Sequence, residues 1–173
     1  MTDIYETVKG DQDPITKLFS KIPGFKGYIA REDRRASDKL LRETVAKDYE
    51  AQYQRISSLQ RELITSGGLA QVGDLEASAI KIRQFIDRVK TASYGYAGLF
   101  DAVKIQEDEL TQIYQYDLVL LDHAKTIGGA IDNVEASIGT DGLPASIRHL
   151  TAVAQEAVDA FNKRADALKG IAL

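Results

Sequence analysis

Apolar and polar residues alternate with the period of an α-helix along most of the chain. In each long segment, apolar residues recur three and four positions apart, and charged or amide side chains fill the positions between them. This spacing places the apolar residues on one face of a helix. The sequence therefore predicts an all-α fold. We expect an antiparallel bundle of about four long helices, elongated and coiled-coil-like, with a short amphipathic helix at its N-terminal end.

Proline and glycine residues divide this pattern into elements. The first helix is predicted to begin at Pro14 and to end before Pro23, because proline disfavours helical geometry at the residue that precedes it. No proline follows until Pro144, so a second helix can run unbroken from about Ile29 to Gly67. Further helices are expected over about 74–93, over about 99–138 and from 144 onward.

The connections and the domain organisation follow from the remaining segments. Residues 1–13 are polar and lack periodicity, so we predict a flexible tail followed by one helical-bundle domain over residues 14–173. The stretch SGGLAQVGD is predicted to be a loop, with Gly67 capping the second helix and Asp74 capping the next. The stretch YGYAGLF, residues 94–100, is predicted to form an aromatic corner between the third and fourth helices, or alternatively an aromatic-lined pocket.

Composition removes several classes of function. The chain has no cysteine, which excludes disulfides and thiolate metal sites. Neither histidine has a glutamate three positions before it, as a di-iron bundle would need, and no phosphate-binding glycine loop or nucleophile elbow is present. We therefore predict a protein that is not an enzyme, without catalytic residues, cofactor or metal. The acidic N-terminus and the lack of a long apolar run favour a cytoplasmic protein, peripheral to a membrane at most.

Charge is distributed unevenly along the chain. The net charge is −4, yet residues 14–42 carry eight Lys or Arg against three acidic residues. The first helix also has an apolar face with lysines opposite it, so it is expected either to cap its own bundle or to lie on a membrane interface or a partner's groove. The predicted docking residues are Ile15, Lys17, Leu18, Phe19, Lys21, Ile22, Phe25, Lys26, Tyr28, Arg31, Arg34 and Arg35.

Two polar residues interrupt the apolar seam of the predicted fourth helix. Gln106 and Asp117 occupy positions where the spacing calls for apolar side chains. A buried carboxylate is costly unless it is paired, so Asp117 is expected to meet a cation or hydrogen-bond donors from a neighbouring helix. An alternative is that Asp117 and the YGYAG aromatics hold a small ligand.

The chain contains PGFKGY followed by Glu32, Arg34, Arg35 and the run Asp38 to Arg42, and later YGYAGLFDAVK. Both stretches resemble those of a poorly characterised family of bacterial all-helical proteins. The resemblance implies a non-enzymatic helical protein. In layout alone, the chain is also similar to membrane-remodelling proteins of the phage-shock class, whose helical hairpins are longer and more uniformly charged.

These patterns together favour a structural or adaptor protein. Its basic N-terminal segment is expected to dock to an anionic membrane surface or to an acidic protein partner. The alternatives are a ligand-binding bundle and a homo-oligomeric assembly subunit. Nucleic acid is disfavoured because the basic segment is short and the rest of the chain is acidic.

Overall fold

The computed structural model describes residues 14–31, 34–92 and 107–172. Within these ranges the chain forms helices and no strand, which confirms the predicted all-α class. The predicted tail at 1–13, the YGYAGLF corner, the start of the predicted fourth helix at 99–106 and Gln106 lie outside the described residues. The helices are α1 (Pro14–Lys21), α2 (Phe25–Ala30), α3 (Arg34–Thr65), α4 (Leu69–Thr91), α5 (Glu107–Ser137) and α6 (Leu143–Ala172).

The four long helices form two hairpins. In the first, Gln60 of α3 donates a hydrogen bond to Glu76 of α4 at 2.6 Å, and Lys90 pairs with Glu50. In the second, the Ser137 and Ser146 hydroxyls lie 2.7 Å apart next to the turn between α5 and α6. In each hairpin, a contact connects the C-terminal part of the first helix to the N-terminal part of the second. The two helices of each hairpin therefore run in opposite directions.

The two hairpins contact each other through helices that run in the same direction. The Tyr49 hydroxyl of α3 donates to the Leu120 carbonyl of α5 at 3.0 Å, and Arg55 donates to the Gly128 carbonyl at 3.2 Å. A Cβ at Gly128 would lie 3.3 Å from the Gln52 side chain, so this glycine permits the close approach of α3 to α5. Helices α4 and α6 are similarly parallel, since Ser78 meets Thr151 and Lys81 meets Gln155.

Aromatic rings join three of the long helices in the core. The rings of Tyr49 on α3 and Phe85 on α4 have centroids 4.2 Å apart, and Phe85 meets Phe161 of α6 edge to face at 5.7 Å. All three side chains are buried. These tilted and edge-to-face contacts add to the apolar burial that drives the helices together.

The prediction of one unbroken helix from Ile29 is wrong. Helix α2 ends at Ala30, Arg31 adopts φ −90° and ψ 3°, and α3 begins at Arg34. The physical reason is tertiary, because Phe25 and Ile29 are buried in the core. Helix α2 must pack against α3 to bury them, and a single straight helix would carry them away from it.

The predicted loop between α3 and α4 is too long, and Asp74 is not a helix N-cap. Gly67 adopts φ 85°, and the Gly68 amide donates to the Leu63 carbonyl at 2.7 Å, which closes α3 with a left-handed glycine cap. Helix α4 then begins at Leu69, so Asp74 lies inside it. This earlier start lets Val72 pack against the core.

Candidate functional site

The apolar face of α1 belongs to the core. Ile15, Leu18 and Ile22 are buried, and Phe19 is partly buried against the same core. In α2, the Phe25 ring packs edge to face on Tyr114 of α5 with centroids 5.5 Å apart. Of the two alternatives left open by the sequence, this arrangement favours the cap. The apolar side chains predicted to dock are thus covered by the protein itself and are not available to a surface.

An ion pair holds the C-terminal end of α1. Lys21 Nζ lies 2.6 Å from Asp122 Oδ1 of α5, and both side chains are partly exposed. The hydrogen bond to the Asp122 carboxylate raises the pKa of Lys21 above its usual value, while partial burial opposes the rise. Lys21 therefore acts in attaching α1 to α5, which differs from the docking role predicted for it.

The remaining basic side chains of this region form what we call the basic surface. It comprises the exposed side chains of Lys17, Lys26, Arg31, Arg35 and Lys39. The Arg31 guanidinium lies over the half-buried ring of Tyr28 at 4.9 Å, and Lys39 is 3.9 Å from Glu43. Arg34 begins α3, but its side chain lies outside the described part of the structure.

Four charged side chains form a second feature, which we call the buried charge cluster: Asp38, Arg42, Asp117 and Arg164. The Arg164 guanidinium contacts Asp117 at 2.6 and 3.3 Å and Asp38 at 2.7 Å. Arg42 Nε donates to the other oxygen of Asp38 at 2.8 Å, and its Nη1 lies 3.4 Å from the Val89 carbonyl of α4. The cluster therefore contacts all four long helices.

The charges within this cluster compensate each other. Asp117 and Arg164 are each only 2% exposed. Burial alone would lower the pKa of Arg164, but the Asp117 and Asp38 carboxylates raise it above its usual value, so the guanidinium stays charged. Burial raises the pKa of Asp117, and Arg164 offsets part of that rise. Asp117 thus meets a cation from a neighbouring helix, as its place in an apolar seam requires.

Sequence reasoning missed the other three members of the cluster, although the spacing marks two of them. Arg164 lies three positions after Phe161 and four before Leu168, which places it in the apolar seam of α6. Asp38 lies three positions before Leu41 in the seam of α3. The interruption of three apolar seams by opposite charges is a signal that the charged residues meet.

The cluster offers little to a ligand. In the described residues, every buried side-chain nitrogen or oxygen has a hydrogen-bond partner. The same residues include no group of three or more side chains suited to hold a metal ion. The carboxylate of Asp117 is occupied by Arg164, and the YGYAG aromatics predicted to join it lie outside the described ranges. The arrangement accounts for a structural role of Asp117.

Two grooves lie near the opposite end of the hairpins. One, of about 380 Å³, is lined by residues around the α3–α4 and α5–α6 turns and has Asp141 as its charged side chain. The other, of about 360 Å³, lies between the N-terminal halves of α4 and α6 and contains Asp74 and Arg148. Neither groove supplies a pair of side chains that could act together as general acid and base near neutral pH.

Comparison of the chain with protein-family models, with curated proteins and with solved structures gives no match. The resemblance to bacterial all-helical proteins stays a prediction. Across the described ranges, no helix combines the length and the apolar character needed to cross a bilayer.

Proposed function

We propose that this protein is a non-enzymatic adaptor that docks to an acidic protein partner through its basic surface. The observation that carries the proposal is the division of α1 and α2 into a buried apolar side and an exposed basic side. The scaffold we propose behind this surface is an elongated bundle of four long helices, built from the two antiparallel hairpins. The buried charge cluster, which contacts every long helix, supports that finer architecture.

The charge balance supports a partner that carries carboxylates. Residues 14–42 hold eight basic and three acidic residues in a chain whose net charge is −4. Helix α3 has no acidic residue in its first turn, where Arg35 lies exposed. Carboxylates on a partner would be attracted to this exposed positive charge near the start of α3.

The burial of the α1 face argues for a protein partner over a membrane. Stable attachment of a short amphipathic helix to a bilayer requires apolar insertion together with electrostatic attraction. Here the apolar side chains are in the core, so only the basic side chains remain for a surface. Their attraction to anionic lipid is about 1 kcal/mol per residue close to the surface and is weakened by salt.

The test compares two variants that lose the same number of positive charges. The first changes Lys17, Arg31 and Lys39 to Gln on the basic surface, and the second changes the exposed residues Arg61, Arg148 and Lys163 to Gln elsewhere. Binding to poly-glutamate, a probe for an acidic polypeptide, is measured at low and moderate salt. We expect the first variant to bind roughly tenfold more weakly than the parent, and the second to bind much like it.

Flotation with vesicles distinguishes an anionic membrane from an acidic protein as the partner of the basic surface. The protein is mixed with anionic and with neutral vesicles at the same salt concentrations. We expect weaker binding to anionic vesicles than to poly-glutamate at low salt, with binding to both reduced at moderate salt. Equal loss of poly-glutamate binding in both charge variants, or tight salt-resistant vesicle binding, would contradict the proposal.

A further inference from the structure

Arg31 holds its charge differently from the lysines of the basic surface. Its guanidinium carbon lies 4.9 Å from the centroid of the Tyr28 ring. In the described part of the chain, the guanidinium makes no hydrogen bond and no ion pair. Lys39, by contrast, lies 3.9 Å from Glu43, and a lysine carries its charge on a flexible stem. Arg31 therefore combines a positioned side chain with N–H donors that the protein does not use.

The fold fixes the ring beneath this guanidinium. Tyr28 is half-buried in α2, and Phe25 and Ile29 attach the same helix to the core. The backbone amide of Arg31 donates to the Gly27 carbonyl at 3.3 Å. Both backbones are thus held three positions apart, a spacing that places two side chains on one side of a helical turn. Cation–π attraction to the ring then restricts the guanidinium before any partner binds.

The outer side of α2 leaves room for a partner beside this pair. Lys26, Gly27 and Ala30 are exposed, and a Cβ at Gly27 would meet no atom within 4 Å. A planar guanidinium can donate two parallel hydrogen bonds to one carboxylate, whereas the ammonium group of lysine acts as a point charge. Arg31 is therefore suited to bind a carboxylate in a defined orientation.

Net charge alone does not distinguish this position. Glu32 and Asp33 follow Arg31 in the sequence, so residues 26–35 include four basic and two acidic residues, with a net charge of +2. Long-range attraction of an acidic partner is partly opposed here by those two carboxylates. Directional hydrogen bonds from a side chain that is already positioned lose less entropy on binding. They give Arg31 an advantage that does not depend on the local net charge.

We propose that Arg31, positioned by the Tyr28 ring, is the carboxylate-binding anchor of the basic surface. This role rests on the proposed docking function and names the group that is recognised, which is a carboxylate of the acidic partner held by paired hydrogen bonds. Tyr28 is a positioning residue that acts through the guanidinium. The lysines of the surface supply attraction that salt weakens, and Arg31 supplies the orientation of the bound carboxylate.

Substitutions that conserve charge test this role. Arg31→Lys keeps the positive charge but removes the planar group, so we expect it to bind poly-glutamate about fivefold more weakly than the parent. Arg148→Lys, the same change at an exposed site outside the basic surface, should bind like the parent. Neither variant alters the net charge, so both test Arg31 separately from the Gln variants that test docking. Equal binding by Arg31→Lys and the parent would overturn the proposal.

A pair of substitutions at Tyr28 tests the positioning. Tyr28→Phe keeps an aromatic ring under the guanidinium, and Tyr28→Leu removes it without changing the charge. We expect the leucine variant to bind poly-glutamate about threefold more weakly than the phenylalanine variant. In the Arg31→Lys background this difference should largely disappear, because the ring acts through the guanidinium. The same difference in both backgrounds, or none in either, would exclude a positioning role for Tyr28.

A titration with glutarate measures the contact without poly-glutamate. The Nε–H signal of Arg31 in an NMR spectrum is assigned by its loss in Arg31→Lys. Glutarate at low salt should shift this signal more than those of Arg61 and Arg148, and Tyr28→Leu should reduce the shift. Equal shifts at all three arginines would overturn the proposal even if poly-glutamate binding depends on the basic surface. A selective Arg31 shift, with poly-glutamate binding unaffected by the Gln variants, would support the anchor and reject only the docking function.

Discussion

Asp38 and Arg42 lie close in sequence to Lys39 and Arg35 on α3, yet the two pairs are used in opposite ways. Asp38 and Arg42 are buried and belong to a cluster that contacts all four long helices. Lys39 and Arg35 are exposed on the basic surface. Charged side chains within a few residues of each other therefore connect the long helices on one face of α3 and are exposed to solvent on another face.

The difference lies in what surrounds each charge. In the buried cluster each carboxylate meets a guanidinium, so that removing one member would leave an uncompensated charge away from water. On the basic surface, water solvates each charge whether or not a partner is present, and exposed ion pairs contribute little to stability. We therefore expect the buried charges to control stability and the exposed charges to control binding.

The largest effect is expected at Arg164. Arg164→Met leaves Asp117 without the cation that contacts both of its oxygens, which should lower the free energy of unfolding by about 3–5 kcal/mol in urea titrations. The double variant with Asp117→Leu removes the stranded charge and should recover much of this loss. If the Arg164→Met variant were as stable as the parent, the cluster would not be buried as described.

The apolar side of α1 gives the next largest effect. Leu18→Ala should lower the free energy of unfolding by about 2–5 kcal/mol because Leu18 is fully buried. The neighbouring Lys17→Ala change affects an exposed side chain and should stay within about 0.5 kcal/mol of the parent. If Leu18→Ala left the thermal midpoint where it is, α1 would not be part of the core.

The Lys21–Asp122 pair is intermediate in exposure between the buried charge cluster and the basic surface. Both side chains are partly exposed, at 25% and 56%, so the pair should contribute less than the buried cluster. Lys21→Met should cost about 1 kcal/mol or less, and raising the salt concentration should shrink the difference between variant and parent. A loss as large as that from Arg164→Met would erase the distinction between buried and partly exposed charges.

The smallest effect on stability is expected from the basic surface. Changing Lys17, Arg31 and Lys39 together to Gln should shift the free energy of unfolding by no more than about 1 kcal/mol, since each side chain is exposed. The same variant should lose binding to poly-glutamate. A large loss of stability here would assign these residues to the scaffold and remove the reason to regard them as a docking surface.

The sequence predicted the features that short-range patterns control. Helical periodicity gave the all-α class, Gly67 marked the end of α3, and the break in an apolar seam at Asp117 indicated a buried carboxylate that needs a cation. In each case the physical cause lies within a few residues of the feature. A left-handed turn favours glycine locally, and a helix face is defined by positions three and four apart.

The features that sequence reasoning missed depend on contacts between distant segments. The bend at Arg31 follows from burial of Phe25 and Ile29, which the local sequence does not require. The early start of α4 at Leu69 adds a turn whose Val72 packs on the core. The parallel contact of α3 with α5 depends on how two hairpins face each other. Helix periodicity alone carries no information on that choice.

Hydrogen exchange across α1 measures whether the apolar side of this helix belongs to the core while its basic side faces solvent. The Ile22 amide donates to the Leu18 carbonyl at 2.9 Å, at the end of a helix whose apolar face is buried. We expect α1 amides to exchange far more slowly than in an unfolded chain, with protection that anionic vesicles do not change. Exchange at the unfolded rate in solution, with protection gained only on adding vesicles, would contradict this expectation.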